Sequence, residues 1–302
     1  MRRRRFLAWG LGVVTCAAGC GTERVVGDIV RPRTRFSINP AASRWARVCR
    51  TFAGLARTAG YETGTGTRIT VTGLPELAAS ELNRARTLDH TATPLSRLIG
   101  DVEVVVVPTS SRFKDFDEFG AQLLARPGET MLAGGPQGEP DHLLFGLIAK
   151  GLGADTRQVD YTGYAGSQEA VTALLSGKAT AAAGLLSEWR ASIGSGRVRA
   201  LAVSSAVRVA DLDVPTLLES GVRVDFTDWV AAVGPESMSD EKREAALRMC
   251  DEVTGSPGWE AACRANGWTS IPLSGDDFVL WLASEVERTR GVLRDLGLLD
   301  TA

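Results

Sequence analysis

The stretch AGGPQGEPDHLLFGLIAKGLG, residues 133–153, carries the clearest chemical signal in the chain. It opens on glycines, passes Pro140, then sets Leu143, Leu144, Leu147 and Ile148 at helical spacing before Gly151, which reads as the stop. A loop that feeds a helix in this way exposes unpaired N–H groups at the positive end of the helix dipole, so it can hold an anion. Glycine-rich turns of this kind also serve as plain connections, and both readings stand at this point. Catalytic patterns are sparse. There are two histidines, His90 and His142, and no serine sits in a G-x-S-x-G turn. Neither G-x-x-x-x-G-K-[ST] nor G-x-G-x-x-G occurs, and no Cys, His and Asp fall at metal-ligand spacing. No enzyme, cofactor or metal is expected.

The elements that must position this loop follow from periodicity. VEVVVVP at 102–108 and RALAVSS at 199–205 read as strands, the first a continuous β-branched run suited to burial on both faces. Helical patterns lie between them, around 116–128, at 140–150 and at 166–178, the last with Ala170, Val171, Leu174 and Leu175 on one face and Gly177 at its C-cap. Strands alternating with helices predict a parallel α/β sheet. The chain closes on an amphipathic helix over about 276–297, with Phe278, Leu282, Val286, Thr289, Val292, Leu293 and Leu296 inward.

The N-terminus predicts where the protein works. Arg2 to Arg5, an apolar run from Phe6 to Val14 and small residues before Cys20 make a secretory signal over 1–19. Ala17-Ala18-Gly19-Cys20 resembles a bacterial lipobox with Ala in place of Leu, and Arg3-Arg4-Arg5-Phe6-Leu7 resembles a twin-arginine export motif. The expectation is a lipid anchor on Cys20, a tether over 20–33 and a place on the extracytoplasmic face of the cell membrane, held there through the lipid only. Residues 1–19 hold four of the 34 basic residues and no acid; the remaining 30 against 36 acidic ones give net −6, which excludes a nucleic-acid partner. Cys49, Cys250 and Cys263 read as buried apolar residues, with a Cys250–Cys263 disulfide as the alternative.

Four patches carry a family resemblance. AGGPQGEPDHLL resembles a Gly-Gly-Ser-x-Gly-x-x-[DS]-His-Leu loop and helix; VDYTGYAGSQEAVTALLSGKATAAAG, GRVRALAVSSAVRVADLDVPTLLESGV and WVAAVGPESMSDEKREAALRM follow in order. Together they resemble the substrate-binding receptors of tripartite tricarboxylate transporters, the TctC or Bug type. The third patch is the most specific, with D-V-P-T-L-x-E-x-G after an R-A-L-A-V-S-S strand. The likeness covers most of residues 95–300 and thins before residue 95. It implies an α/β, two-lobe periplasmic-binding-protein-like fold of type II, with a ligand cleft between lobes joined by crossing strands. Lobe 1 would comprise 34–106 and 231–302, and lobe 2 residues 107–230. It further implies a receptor that captures a small organic acid and works with the membrane permease subunits of the transporter. A receptor-fold signalling lipoprotein with weak or no ligand, presenting to a sensor kinase or envelope partner, is the alternative.

The departures fall on the ligand loops. The family's first glycine-rich loop matches AASRWA, 41–46, where Trp45 survives but the glycines and the Asp do not; the second matches TGLPELAAS, 72–80, with Gly73 alone left. In the third loop the family's Ser is Pro136, and Glu139 and Pro140 replace small or hydroxyl residues. Arg44 is either a surface arginine or a carboxylate clamp that replaces lost amide donors. Glu139 either favours the helix dipole from solvent or places negative charge where an acid would sit. The ligand-binding candidates are Ser43, Arg44, Trp45, Gly73, Gly135, Gly138, Tyr161, Tyr164, Gly166, Ser167, Ser187 and Trp229. Tyr161 and Tyr164 could equally pack on the following helix, and Trp229 could serve hinge packing before lining a pocket.

Overall fold

The structure, a computed structural model, describes residues 34–300. The signal over 1–19, Cys20 and the tether over 20–33 lie outside the described residues. The chain begins with β1 (Arg35–Pro40), a 3-10 turn at Ser43–Trp45, α1 (Ala46–Thr58), β2 (Glu62–Thr63), β3 (Thr67–Gly73), α2 (Leu74–Leu82) and α3 (Leu88–Thr91). The long strand β4 (Ala92–Pro108) leads to α4 (Phe116–Ala125), β5 (Leu132–Gly134), α5 (Pro140–Leu152), β6 (Tyr161–Gly163), α6 (Ser167–Leu175), β7 (Ala181–Leu185), α7 (Leu186–Gly194) and β8 (Val198–Val203). It returns through β9 (Thr227–Pro235) to α8 (Asp240–Thr254), α9 (Pro257–Asn266), β10 (Thr269–Ser274) and α10 (Gly275–Asp295).

The expected parallel sheet is mixed instead. β1 pairs in parallel with β2 and β3, and β5 with β6 and β7. β4 runs antiparallel to β7, β8, β9 and β10, and β3 antiparallel to β9. The reason is that β4 runs through both groups of strands and meets β7 and β8 of the second from the opposite direction, while β9 returns antiparallel between β3 and β4. β1, β2, β3, β10, β9 and the first part of β4 form one lobe; β5 to β8 and the last part of β4 form the other.

The apolar run in β4 is buried on both faces, as its β-branched composition predicts. Val105 and Val107 join one core with Phe119, Phe145, Phe278 and Leu282, and Val104 and Val106 join another with Val171, Leu174 and Trp189. A third core packs Phe36, Phe52, Met249 and Trp259 on the other face of the first lobe. α10 buries Phe278, Leu282, Val286, Thr289, Val292 and Leu293, the stripe its 3.6-residue period marks. α5 does not stop at Gly151: it runs to Leu152 and is capped by left-handed Gly153 at φ 84°. Gly151 is small for a different reason, since a Cβ there would lie 2.7 Å from Val222 Cγ1. Cys49, Cys250 and Cys263 are buried and free. Among the described residues no helix is long and apolar enough to cross a membrane.

Candidate functional site

A cavity of about 660 Å³ lies where the two lobes face each other. Arg44, Trp45 and Arg47, at the entry to α1, form one wall; the loops preceding α5 and α6 form the other; Asp101 of β4 and Asp228 of β9 lie between. The loop at 134–139 is rigid by its own bonds. Gly138 takes φ +84°, a conformation that favours glycine, and its N–H donates to His142 Nδ1 at 3.1 Å. His142 stacks on Tyr161 at 4.1 Å, and burial pushes its pKa down to about 4, so the imidazole is neutral and able to accept that bond. The Tyr161 hydroxyl donates to the Gly135 carbonyl at 2.7 Å. The Gly135 N–H donates to Asp141 Oδ2 at 2.6 Å, so this amide already holds a carboxylate belonging to the chain.

The opposite wall is also self-paired. Arg44 Nη2 donates to both carboxylate oxygens of Glu139 at 3.0 Å, joining the two lobes across the cleft mouth. Trp45 is fixed by its indole N–H, which donates to Glu76 Oε2 at 2.7 Å, and the same oxygen accepts from the Gly73 N–H at 3.0 Å. Gly73 must be small here: a Cβ would lie 2.7 Å from Trp45 Cζ2 and 2.6 Å from the Trp229 carbonyl oxygen.

Acidic groups dominate the interior of the cleft. Asp101 and Asp228 are direct cross-strand partners in the β4–β9 ladder, an arrangement that costs free energy when both are ionised. Both are buried, and the Oδ1 atom of each has no hydrogen-bond partner. Ser187 donates to Asp101 Oδ2 at 2.9 Å. Glu103, two residues along β4 and so on the same face, is fully buried with neither carboxylate oxygen partnered. Burial pushes Asp101 up to about 7, against the Ser187 bond. Burial likewise raises Asp141 to about 7, against the Gly135 N–H. Burial, reinforced by the other acids, holds Glu103 and Asp228 well above the usual carboxylate range. Among the described residues no group of three or more His, Cys, Asp or Glu could hold a metal ion.

Residues 56–298 match the family described as tripartite tricarboxylate transporter family receptor, TctC. The chain belongs to the TctC receptor family. It is 31% identical over 204 residues to protein BugT of Bordetella pertussis, a match covering 66% of this chain and 61% of BugT, so the chain spans about three fifths of that relative. Its fold is that of a TctC solute-binding protein from Polaromonas, with a TM-score of 0.71 at 17% identity, covering 89% of this chain and 100% of that one. It is also that of R. palustris Rpa4515, solved with adipate, with a TM-score of 0.67 at 17% identity over 88% of this chain and 97% of that one. The TctC family and these structures are binding proteins, not enzymes.

Measured against the TctC resemblance, the structure brings Arg44, Trp45, Gly135, Gly166, Ser167 and Ser187 together around the cleft. Ser43 starts the 3-10 turn, exposed and outside the lining. Gly73 sits behind Trp45, and Gly138 turns the third loop against Leu82. Tyr161 and Tyr164 border a neighbouring depression of about 490 Å³ on the far side of that loop. Trp229 is buried edge-on to Trp281 at 5.4 Å. Sequence reasoning passed over Asp101, Glu103 and Asp228. Their signal was visible as acids set inside apolar strand sequence, GDVEVVVVP and TDWVAAVG, where charges are rare. Glu76 was passed over too: it reaches back from α2 to accept from the Gly73 N–H, and with glycine at that N-cap no Ser or Thr marks the helix start.

Proposed function

We propose that this TctC-family chain is an extracytoplasmic receptor that captures a small organic acid in the cleft and presents it to the membrane permease subunits of a tripartite tricarboxylate-type transporter. The observation that carries this reading is the cavity of about 660 Å³ lined from both lobes by an arginine pair, an indole wall and the backbone at the starts of α5 and α6. Oriented amides at such starts hold carboxylates without a formal cation. A relative of the same fold solved with adipate supports the ligand class. A screen of mono- and dicarboxylates by thermal unfolding tests the reading. A ligand at 100 times its dissociation constant is expected to stabilise the protein by about 2.7 kcal/mol.

One set of contacts favours the second reading, a receptor-fold signalling lipoprotein with weak or no ligand. Arg44 is held by Glu139 and the Gly135 amide by Asp141, so the chain satisfies part of its own anion-binding equipment. An organic-acid screen with no stabilising member would favour it.

We further propose that Cys20 carries the lipid and that export follows the twin-arginine route. Cys20→Ala is expected to move the protein from the membrane fraction to the soluble fraction. Retention of Cys20→Ala on membranes washed in high salt would reject the anchor.

A further inference from the structure

The charges around the cleft do not suit a ligand that is only an anion. Asp101, Glu139, Asp141, Glu188 and Asp228 line it against Arg44 and Arg47, and Arg44 is already bonded to Glu139. The arginines stand at the mouth. Behind them, Asp101 and Asp228 face one another across neighbouring strands, each at most 8% exposed, each with Oδ1 unpartnered. A directly opposed cross-strand pair places its side chains about 4.5–5.5 Å apart at Cβ, a gap that a single small donor group can bridge. A dicarboxylate that reached this pair would set a carboxylate against two further carboxyl groups. A protonated amine brings three donors and a positive charge to the two open oxygens. The donor set offers no alternative in a metal, since no ligating group of three exists among the described residues.

We infer that the solute is an organic acid that also carries a protonated amine, its ammonium held between Asp101 and Asp228 and its carboxylate directed to Arg44 and Arg47. This rests on the receptor reading above and narrows its substrate class. The acid-base setting agrees. Asp228 faces Asp101 of β4, Asp141 of α5, Glu76 of α2 and Arg44, while Asp101 also faces Glu188 and Arg190 of α7. Burial holds protons on this pair near neutrality, so an arriving ammonium displaces a proton rather than adding to a bare dianion.

Three four-carbon probes separate the possibilities: succinate, 4-aminobutanoate and butane-1,4-diamine. Calorimetric titration at pH 7.5, in two buffers of different ionisation enthalpy, reads affinity and proton exchange together. 4-Aminobutanoate is expected to bind at least tenfold more tightly than succinate and to release protons. Asp228→Asn is expected to weaken 4-aminobutanoate at least tenfold and to leave succinate no weaker; its thermal melt, read alongside, should show a folded protein. Succinate binding as tightly as 4-aminobutanoate, or with proton uptake, overturns the amine assignment and leaves the receptor reading standing. Equal affinity of wild type and Asp228→Asn for 4-aminobutanoate also overturns it, as does tightest binding by the diamine, which would remove the carboxylate. If none of the three binds and no acid in the wider screen stabilises the protein, the receptor reading falls and this inference with it.

Discussion

Raising the pH from 6.5 to 8 is expected to lower the stability of the ligand-free protein steeply. An unfolded carboxyl gives up its proton near pH 4, whereas Asp101 and Asp141 keep theirs to about 7, and burial holds Glu103 and Asp228 well above the usual carboxylate range. Over that interval the folded state binds more protons than the unfolded one, so stability falls as pH rises, by about 1.4 kcal/mol per pH unit for each carboxyl still protonated. Above 7 the slope from Asp101 and Asp141 fades. The groups form one cluster, so the measured midpoints belong to the cluster and not to single residues. His142 works in the opposite direction, but only where it titrates. Its folded pKa of about 4 sits below the unfolded value of 6.5, so it adds stability as pH rises between those values and is silent above them. The window from 6.5 to 8 therefore isolates the acids. Denaturant midpoints measured at three pH values across it should decline, and Asp101→Asn should flatten the decline. A midpoint that holds level or climbs would show that the buried acids are ionised and compensated in the folded state.

Trp259→Ala is expected to cost about 3–5 kcal/mol of folding stability. Trp259 is fully buried in α9 and meets Phe52 of α1 edge-on at 5.9 Å. Removing the indole leaves a cavity between two helices that also carry cleft residues, Val48 and Arg47 on α1 and Ala265 and Asn266 on α9. The Trp259 Nε1 has no hydrogen-bond partner, so Trp259→Phe gives up area without breaking a bond and should cost clearly less. The denaturant midpoint should drop with the slope m unchanged, because the surface exposed on unfolding stays nearly the same. A loss below 1 kcal/mol for Trp259→Ala would mean that α1 and α9 close over the gap.

What could be read from the sequence was what repeats locally. α5, α6 and α10 declared themselves by period, and the two-lobe fold came through motifs concentrated after residue 95. β4 was visible only from Val102 onward, because its first part is broken by Pro94, Arg97 and Gly100 and by register shifts between Pro94 and Ser96 and between Arg97 and Ile99. The end of α5 was misplaced because both Gly151 and Gly153 could serve, and only packing against Val222 tells them apart. The site was the least legible part. Arg44 was singled out for its oddity near a helix start, but its partner is Glu139, 95 residues away. The Asp101–Asp228 pair exists only through strand register, which no local pattern records.

The single strand shared by both lobes also limits how such a protein can be rebuilt. β4 spans 17 residues and pairs with strands of each lobe, and one core draws Leu74 and Leu77, Phe119 and Phe145, and Phe278 and Leu282 into a common cluster. There is no joint at which one lobe could be exchanged for that of a sister protein without cutting both a strand and a core. New ligand preferences must then arise by drift in the loops that rim the cleft, one side chain at a time, on a frame inherited whole. Arg44 and Glu139 stand on two of those loops and pair across the cleft.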